Sequence, residues 1–178
     1  GEDIKYFEKI DTDILGSGSI AQTHVCYLHN DKTKYVLKIL HPHIKSTFAN
    51  DIFFMEWVVI PLLSIFGINL FSSKDNLNQL MDPIDLIVEY DNWKRLQKNF
   101  KGNPTIRVAK NIVRATPTYF VETFEEGQDF YSLSWENKRR VKVETTKCFY
   151  LMLFRHKFVH GDFHYGNMLF KHHNNTLQ

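Results

Sequence analysis

His160-Gly161-Asp162-Phe163-His164-Tyr165-Gly166-Asn167 places an aspartate and an asparagine five residues apart in a short polar run. Val159 before it and Met168-Leu169-Phe170 after it are apolar, so the run reads as a loop pinned between buried segments, a setting in which polar side chains keep their geometry. Phosphoryl transfer uses this pairing. The carboxylate orients or deprotonates the acceptor, and the amide oxygen helps to hold a metal ion that bridges the nucleotide phosphates. Taken alone, the run also fits a glycine-containing surface turn that carries Asp and Asn by chance, because a short motif needs its context.

The context lies upstream. Ile14-Leu15-Gly16-Ser17-Gly18-Ser19-Ile20-Ala21-Gln22-Thr23-His24-Val25 sets small residues between two apolar, strand-like runs. Small residues at a hairpin tip let backbone N–H groups approach phosphate oxygens without obstruction by Cβ. Further on, Tyr35-Val36-Leu37-Lys38-Ile39-Leu40 alternates like a strand and carries a single lysine. A half-buried ammonium is costly without an anionic partner, and phosphates plus one carboxylate would satisfy it. Each piece has an ordinary reading as a Gly/Ser hairpin beside an edge-strand lysine. In this order, followed by Asp-x4-Asn, they point to a nucleotide-binding α+β fold of the bilobal protein-kinase type. An N-terminal antiparallel sheet with helices comes first, then an incomplete helical C-lobe portion.

Four segments resemble the UbiB family of atypical kinases associated with ubiquinone (coenzyme Q). Ser19 to His24 resembles its S-I-[AG]-Q-V-H signature, and Leu37 to Pro42 its V-K-V-x-x-P strand. Pro83-Ile84-Asp85-Leu86-Ile87-Val88-Glu89-Tyr90-Asp91-Asn92 is similar to its E-x-D-x-x-x-E-A-x-N helix, and His160 to Asn167 to H-x-D-x-H-P-G-N. The resemblance implies that Lys38 contacts the α/β-phosphates and pairs with Glu89. It implies that Gly16, Ser17, Gly18, Ser19, Ile20, Ala21 and Gln22 line the nucleotide loop, and that Glu122 falls where a hinge backbone receives adenine. Asp162 becomes the catalytic aspartate and Asn167 a magnesium ligand, with ATP or ADP and Mg2+ as cofactors. There are departures. Gly16-Ser17-Gly18 replaces an Ala-rich loop, Pro83 replaces the first Glu of E-x-D, and Tyr165 stands at the Pro position. The K-x-G-Q and D-F-G segments are absent.

After Asn167 the chain contains no carboxylate, yet magnesium in such sites normally takes at least one. Lys171 to Thr176 reads as a polar hairpin turn, and Leu177-Gln178 as the beginning of a further strand. The expectation is a kinase domain truncated at both ends, and a 178-residue piece that shows no ATP turnover by itself.

Composition agrees with one domain: 43% of residues are hydrophobic and 15% aromatic, enough to bury a core. A net charge of +2 without a long Lys/Arg run gives no basis for nucleic-acid binding, and Lys138-Arg139-Arg140 reads as one solvated helix face. Cys26 and Cys148, far apart, imply no disulfide framework and suit a reducing compartment. The lobes divide at about residue 125, the first including inserted helices and the second beginning the C-lobe with the catalytic loop. Strands are expected between about residues 5 and 40, with turns at Gly16-Ser17-Gly18 and His29-Asn30-Asp31, and again around Ile106–Val108 and Thr118–Phe124. Helices are expected from His43 to about Phe66, from Asp75 to Phe100 with Pro83 in a first turn or at a break, and from a Ser134 cap to about Lys157. Trp57 to Phe71 carries no charge, but Glu56 and Pro61 interrupt a spanning helix, so a buried helix is favoured over contact with a membrane surface. His160 and His164, with His172-His173, lack the ligand pattern of a zinc site.

The leading function is an atypical kinase or ATPase that supports ubiquinone biosynthesis. By resemblance its partners are nucleotide, a lipid or membrane surface and ubiquinone-biosynthesis proteins, and its location is mitochondrial and membrane-associated if eukaryotic. A small-molecule phosphotransferase of the aminoglycoside or choline kinase type, and an inactive nucleotide-binding pseudokinase, stand as alternatives.

Overall fold

The computed structural model describes residues 2–68, 84–108, 111–173 and 176–177. The chain forms two compact units, one from Gly1–Asp91 with Ile112–Thr123, the other from Asn92–Asn111 with Phe124–Gln178. The expected beginning of the second helix, including Pro83, lies outside the described residues.

The first unit is built on a five-stranded antiparallel sheet of β1 (Phe7–Ser17), β2 (Ala21–Leu28), β3 (Tyr35–Leu40), β4 (Ile112–Ala115) and β5 (Tyr119–Thr123), in the order β1-β2-β3-β5-β4. The period of two along each strand sorts its side chains between two cores. Cys26, Leu28, Tyr35, Leu37, Tyr119 and Val121 pack on one face. Leu40 and Phe120 pack with Leu86 on the other. Lys38 is in phase with Leu40, which assigns it to the face that Leu86 covers.

β1 differs from its expected form. The turn anticipated at Gly16-Ser17-Gly18 lies two residues later, because the strand runs through Ser17, which pairs with Gln22. Register shifts between Phe7 and Lys9, Ile10 and Ile14, and Ile14 and Gly16 absorb the extra residues.

The segment from His43 to Phe66 is helical as expected. α1 (Ile44–Phe54) passes through a π-helical turn, Met55–Val59, into α2 (Ile60–Ile65). The wide turn directly precedes Pro61: Ile60 N–H donates to Met55 O, five residues back, where the pyrrolidine ring would crowd an ordinary α-turn. The favoured reading as a buried helix does not hold among the described residues. No residue of α1, the π turn or α2 is buried, and Trp57 and Ile65 are 64% and 78% exposed.

α3 (Leu86–Asn99) starts at an Asx turn, in which Asp85 Oδ1 accepts the Ile87 N–H at 2.9 Å. Leu86, 1% exposed, anchors that start in the core with Leu40 and Phe120.

In the second unit, the strand expected around Ile106–Val108 does not form. Asn103 Oδ1 accepts the N–H groups of Thr105 and Ile106 at 3.0 and 2.9 Å, which curls the backbone out of extension. Ile106 and Val108 instead pack against Leu96, Phe100, Cys148 and Met152. The strand with this role is β4, a few residues later. α4 (Trp135–Tyr150) begins where Ser134 Oγ accepts the Asn137 N–H at 3.3 Å, the expected cap, and ends in a π-helical turn, Leu151–Arg155. β6 (His172–His173) and β7 (Thr176–Leu177) pair antiparallel, and residues 174–175 lie outside the described residues.

Candidate active site

In the first unit, β3 places Lys38 opposite Thr23 of β2 and Phe120 of β5. Its Nζ lies 5.5 Å from the centre of the Phe120 ring. The buried Leu86 fixes the first turn of α3, and one turn further along Glu89 reaches back to the lysine. Lys38 Nζ donates to Glu89 Oε1 at 2.5 Å and to Oε2 at 2.8 Å, between residues 51 apart in sequence. Both side chains are partly exposed, so the pair is worth at most about 1 kcal/mol of stability. Its value is positional: two donors of the ammonium are committed to the carboxylate, and the third remains for an anion such as a phosphate oxygen.

The small-residue loop adjoins this pair in the sheet, since Thr23, opposite Lys38, directly follows Gln22. Gly18 N–H donates to Ala21 O at 2.9 Å, which closes a tight turn over Ser19 and Ile20. A Cβ at Gly16 would come within 3.2 Å of Thr23 Oγ1, whereas one at Gly18 would have ordinary room. Glu122 lies inside β5, paired with Val36 on one side and Ile112 on the other, one residue before the strand ends. Its main chain therefore sits within the ladder.

In the second unit, the run His160 to Asn167 is held by its own side chains. Asn167 Nδ2 donates to the Asp162 carbonyl at 3.0 Å and to Asp162 Oδ2 at 2.9 Å. His164 Nδ1 accepts the Gly166 N–H at 3.0 Å, which leaves the proton on Nε2, and Nε2 lies 3.2 Å from Asp162 Oδ2. His160 Nδ1 accepts the Asp162 N–H at 3.1 Å, which braces the backbone of the loop. A Cβ at Gly166 would fall 2.7 Å from the His164 ring, so only glycine lets the imidazole sit there. Tyr165 stacks on Phe130 with centroids 3.9 Å apart and planes within 8°, tying the loop into the core with Phe170.

Desolvation by burial pushes the Asp162 carboxyl up, but the Asn167 amide and the His164 and His160 rings outweigh it and hold it below its ordinary value. Asp162 is therefore ionised at neutral pH. Its Oδ1 carries no hydrogen bond from the described residues, and the side chain is 74% exposed. A weakly basic, open carboxylate oxygen suits the orientation of an acceptor hydroxyl in a loose phosphoryl-transfer transition state.

The structure thus assembles Lys38 with Glu89, and Asp162 with Asn167. His164, which supports Asp162, was not singled out for this role by sequence, although its place in H-x-D-x-H is the available signal. The Asn167 amide turns its nitrogen to Asp162, so its oxygen is the atom left to face a cation, and among the described residues no group of three His, Cys, Asp or Glu forms a metal cluster. Magnesium would need further oxygen ligands.

Comparison with known proteins bears on this geometry. Residues 2–178 match the ABC1 atypical kinase-like domain. The probable serine/threonine-protein kinase abkC of Dictyostelium discoideum is 28% identical over 178 residues, covering 95% of this chain and 26% of that protein. A probable protein kinase UbiB of Glaesserella parasuis is 29% identical over 189 residues, covering 92% of this chain and 33% of the relative. The chain thus spans between about a quarter and a third of the length of these curated relatives. Rv3197 of Mycobacterium tuberculosis, solved in complex with erythromycin, shares the fold with a TM-score of 0.76 at 20% identity, over 93% of this chain and 43% of that one.

Proposed function

The chain belongs to the ABC1 atypical kinase-like family, and on that premise we propose that it is an ATP-binding kinase or ATPase that supports ubiquinone biosynthesis. The Lys38–Glu89 pair carries the reading, because a lysine held by a helical carboxylate beside a small-residue loop is how kinase-like folds grip nucleotide phosphates. In this reading the Gly16 to Gln22 backbone and Lys38 bind the phosphates, and Asp162 orients the acceptor. Glu122, one residue before the end of β5, is the position assigned to the adenine-receiving hinge in this reading. Magnesium, when bound, would neutralise phosphate charge, with the Asn167 amide oxygen as one ligand.

A second reading, a nucleotide-binding pseudokinase, draws on the absence of a metal-ligating cluster among the described residues. Incubation of the full-length protein, rather than of these 178 residues alone, with magnesium and ATP labelled at the γ-phosphate separates the readings. Release of labelled phosphate, or its transfer to a small molecule, is the expected result. Tight binding with the γ-phosphate intact would establish the pseudokinase and remove the catalytic reading.

We also propose that the protein works at a membrane, mitochondrial if eukaryotic. In support, the 22 residues Ile44–Ile65 form a helix long and apolar enough to cross a membrane, with an 18-residue stretch of mean hydropathy 1.5 and none of it buried among the described residues. The protein is expected to float with phospholipid vesicles and to lose that behaviour on joint Trp57→Glu and Ile65→Glu substitution. Equal flotation of both forms would contradict it.

A further inference from the structure

The carbonyls of the small-residue loop are held by side chains outside it. Thr23 Oγ1, on β2, donates to Gly16 O at 3.1 Å. His41, directly after β3, acts twice: its Nε2 lies 2.9 Å from Gly18 O, and its backbone N–H donates to Ile20 O at 2.9 Å. A carbonyl accepts only, so His41 Nε2 carries the hydrogen. A third bond of the same kind lies further down the hairpin, where His24 Nδ1 is 3.0 Å from Asp11 O. β1 is an edge strand with repeated register shifts, and its irregular course leaves carbonyls that the ladder does not pair. Asp11 is such a point, supported by His24, whereas Thr23 acts at Gly16, in register with it, and His41 at Gly18, just past the end of β1.

From this geometry we infer that Thr23 and His41 are positioning residues for nucleotide: they clamp the two limbs of the loop in one conformation before the ligand arrives. The inference rests on the ATP-binding reading above. Peptide planarity makes the clamp directional. With Gly18 O turned to His41, the Ser19 N–H must point the opposite way, and with Gly16 O turned to Thr23 the same holds for Ser17 N–H. Two donors of the loop thereby acquire fixed directions, which lowers the ordering cost of binding an anion. Thr23 stands at the valine position of S-I-[AG]-Q-V-H, and valine has no hydroxyl to make this bond. In a loop with Gly16 and Gly18 in place of an Ala-rich sequence, the side chains restrain what glycine leaves free.

The test combines hydrogen exchange of loop amides in the nucleotide-free protein with ATP affinity, for Thr23→Val, Thr23→Ser, His41→Ala and His41→Gln. Thr23→Val and His41→Ala are expected to speed exchange over residues 16–20 and to weaken ATP binding about fivefold each, the worth of one ordinary hydrogen bond. Serine, and glutamine with its terminal N–H2, are expected to restore both. Unchanged exchange in both disruptive variants overturns the clamp, and faster exchange with unchanged affinity overturns the positioning role. Wild-type protein that binds no ATP overturns the functional reading and the positioning role with it, while the exchange data still decide whether the clamp exists.

Discussion

In the full-length protein, Asp162→Asn is expected to lower phosphoryl turnover by a factor of about 100 to 10,000, the usual contribution of a positioned acid–base group, while ATP binding stays intact. The substitution removes the charge and little else. An asparagine oxygen at this place can still accept from Asn167 Nδ2 and from His164 Nε2, which in the wild type lie 2.9 and 3.2 Å from Asp162 Oδ2. The loop also keeps its other supports, Tyr165 stacked on Phe130 and His160 on the backbone N–H of position 162. A fall in turnover therefore reports the carboxylate and not a collapsed loop. Steady-state turnover measured beside an ATP binding isotherm checks this, and turnover within a few-fold of wild type would remove Asp162 from the chemistry.

Leu86→Ala carries the largest expected effect on stability, a loss of about 2–5 kcal/mol, as for other fully buried leucines truncated to alanine. Leu86 is 1% exposed, and it seats the start of α3 among Leu40 and Phe120. Glu89 follows one turn later, so a cavity at Leu86 also loosens the carboxylate that holds Lys38. The variant is accordingly expected to bind ATP more weakly as well as to unfold earlier in denaturant. Leu62→Ala is the control: Leu62 is 54% exposed, and its truncation is expected to change stability by less than about 0.5 kcal/mol. Equal unfolding midpoints for the two variants would contradict the place given to Leu86.

Much of this arrangement is legible in the residues because it follows from short-range periodicity. Alternation along Tyr35 to Leu40 marks a strand with its lysine on one face, and Ser134 announces its helix by a cap that needs only the next turn. Features that depend on competition between local and ladder hydrogen bonds are less legible. Asn103 turns the backbone and denies Ile106–Val108 its strand, although the apolar pattern there is that of one. The turn after β1 lies two residues beyond its glycine-marked place because register shifts lengthen the strand. The uncharged stretch from Trp57 reads as core, yet composition does not say which surface covers a helix, and none of Ile44–Ile65 is buried among the described residues. Thr23 and His41 escaped notice as loop supports because their acceptors are backbone carbonyls, whose directions no residue type encodes.

The central claim is that Lys38, held by Glu89, binds nucleotide phosphate, and titration of ATP into the wild-type protein and Lys38→Ala tests it most directly. The account predicts saturable binding by the wild type and a loss of about ten- to a hundredfold in the variant, the worth of a hydrogen bond to a charged group. Equal affinity in the two proteins, or no binding by a folded wild type, would contradict it.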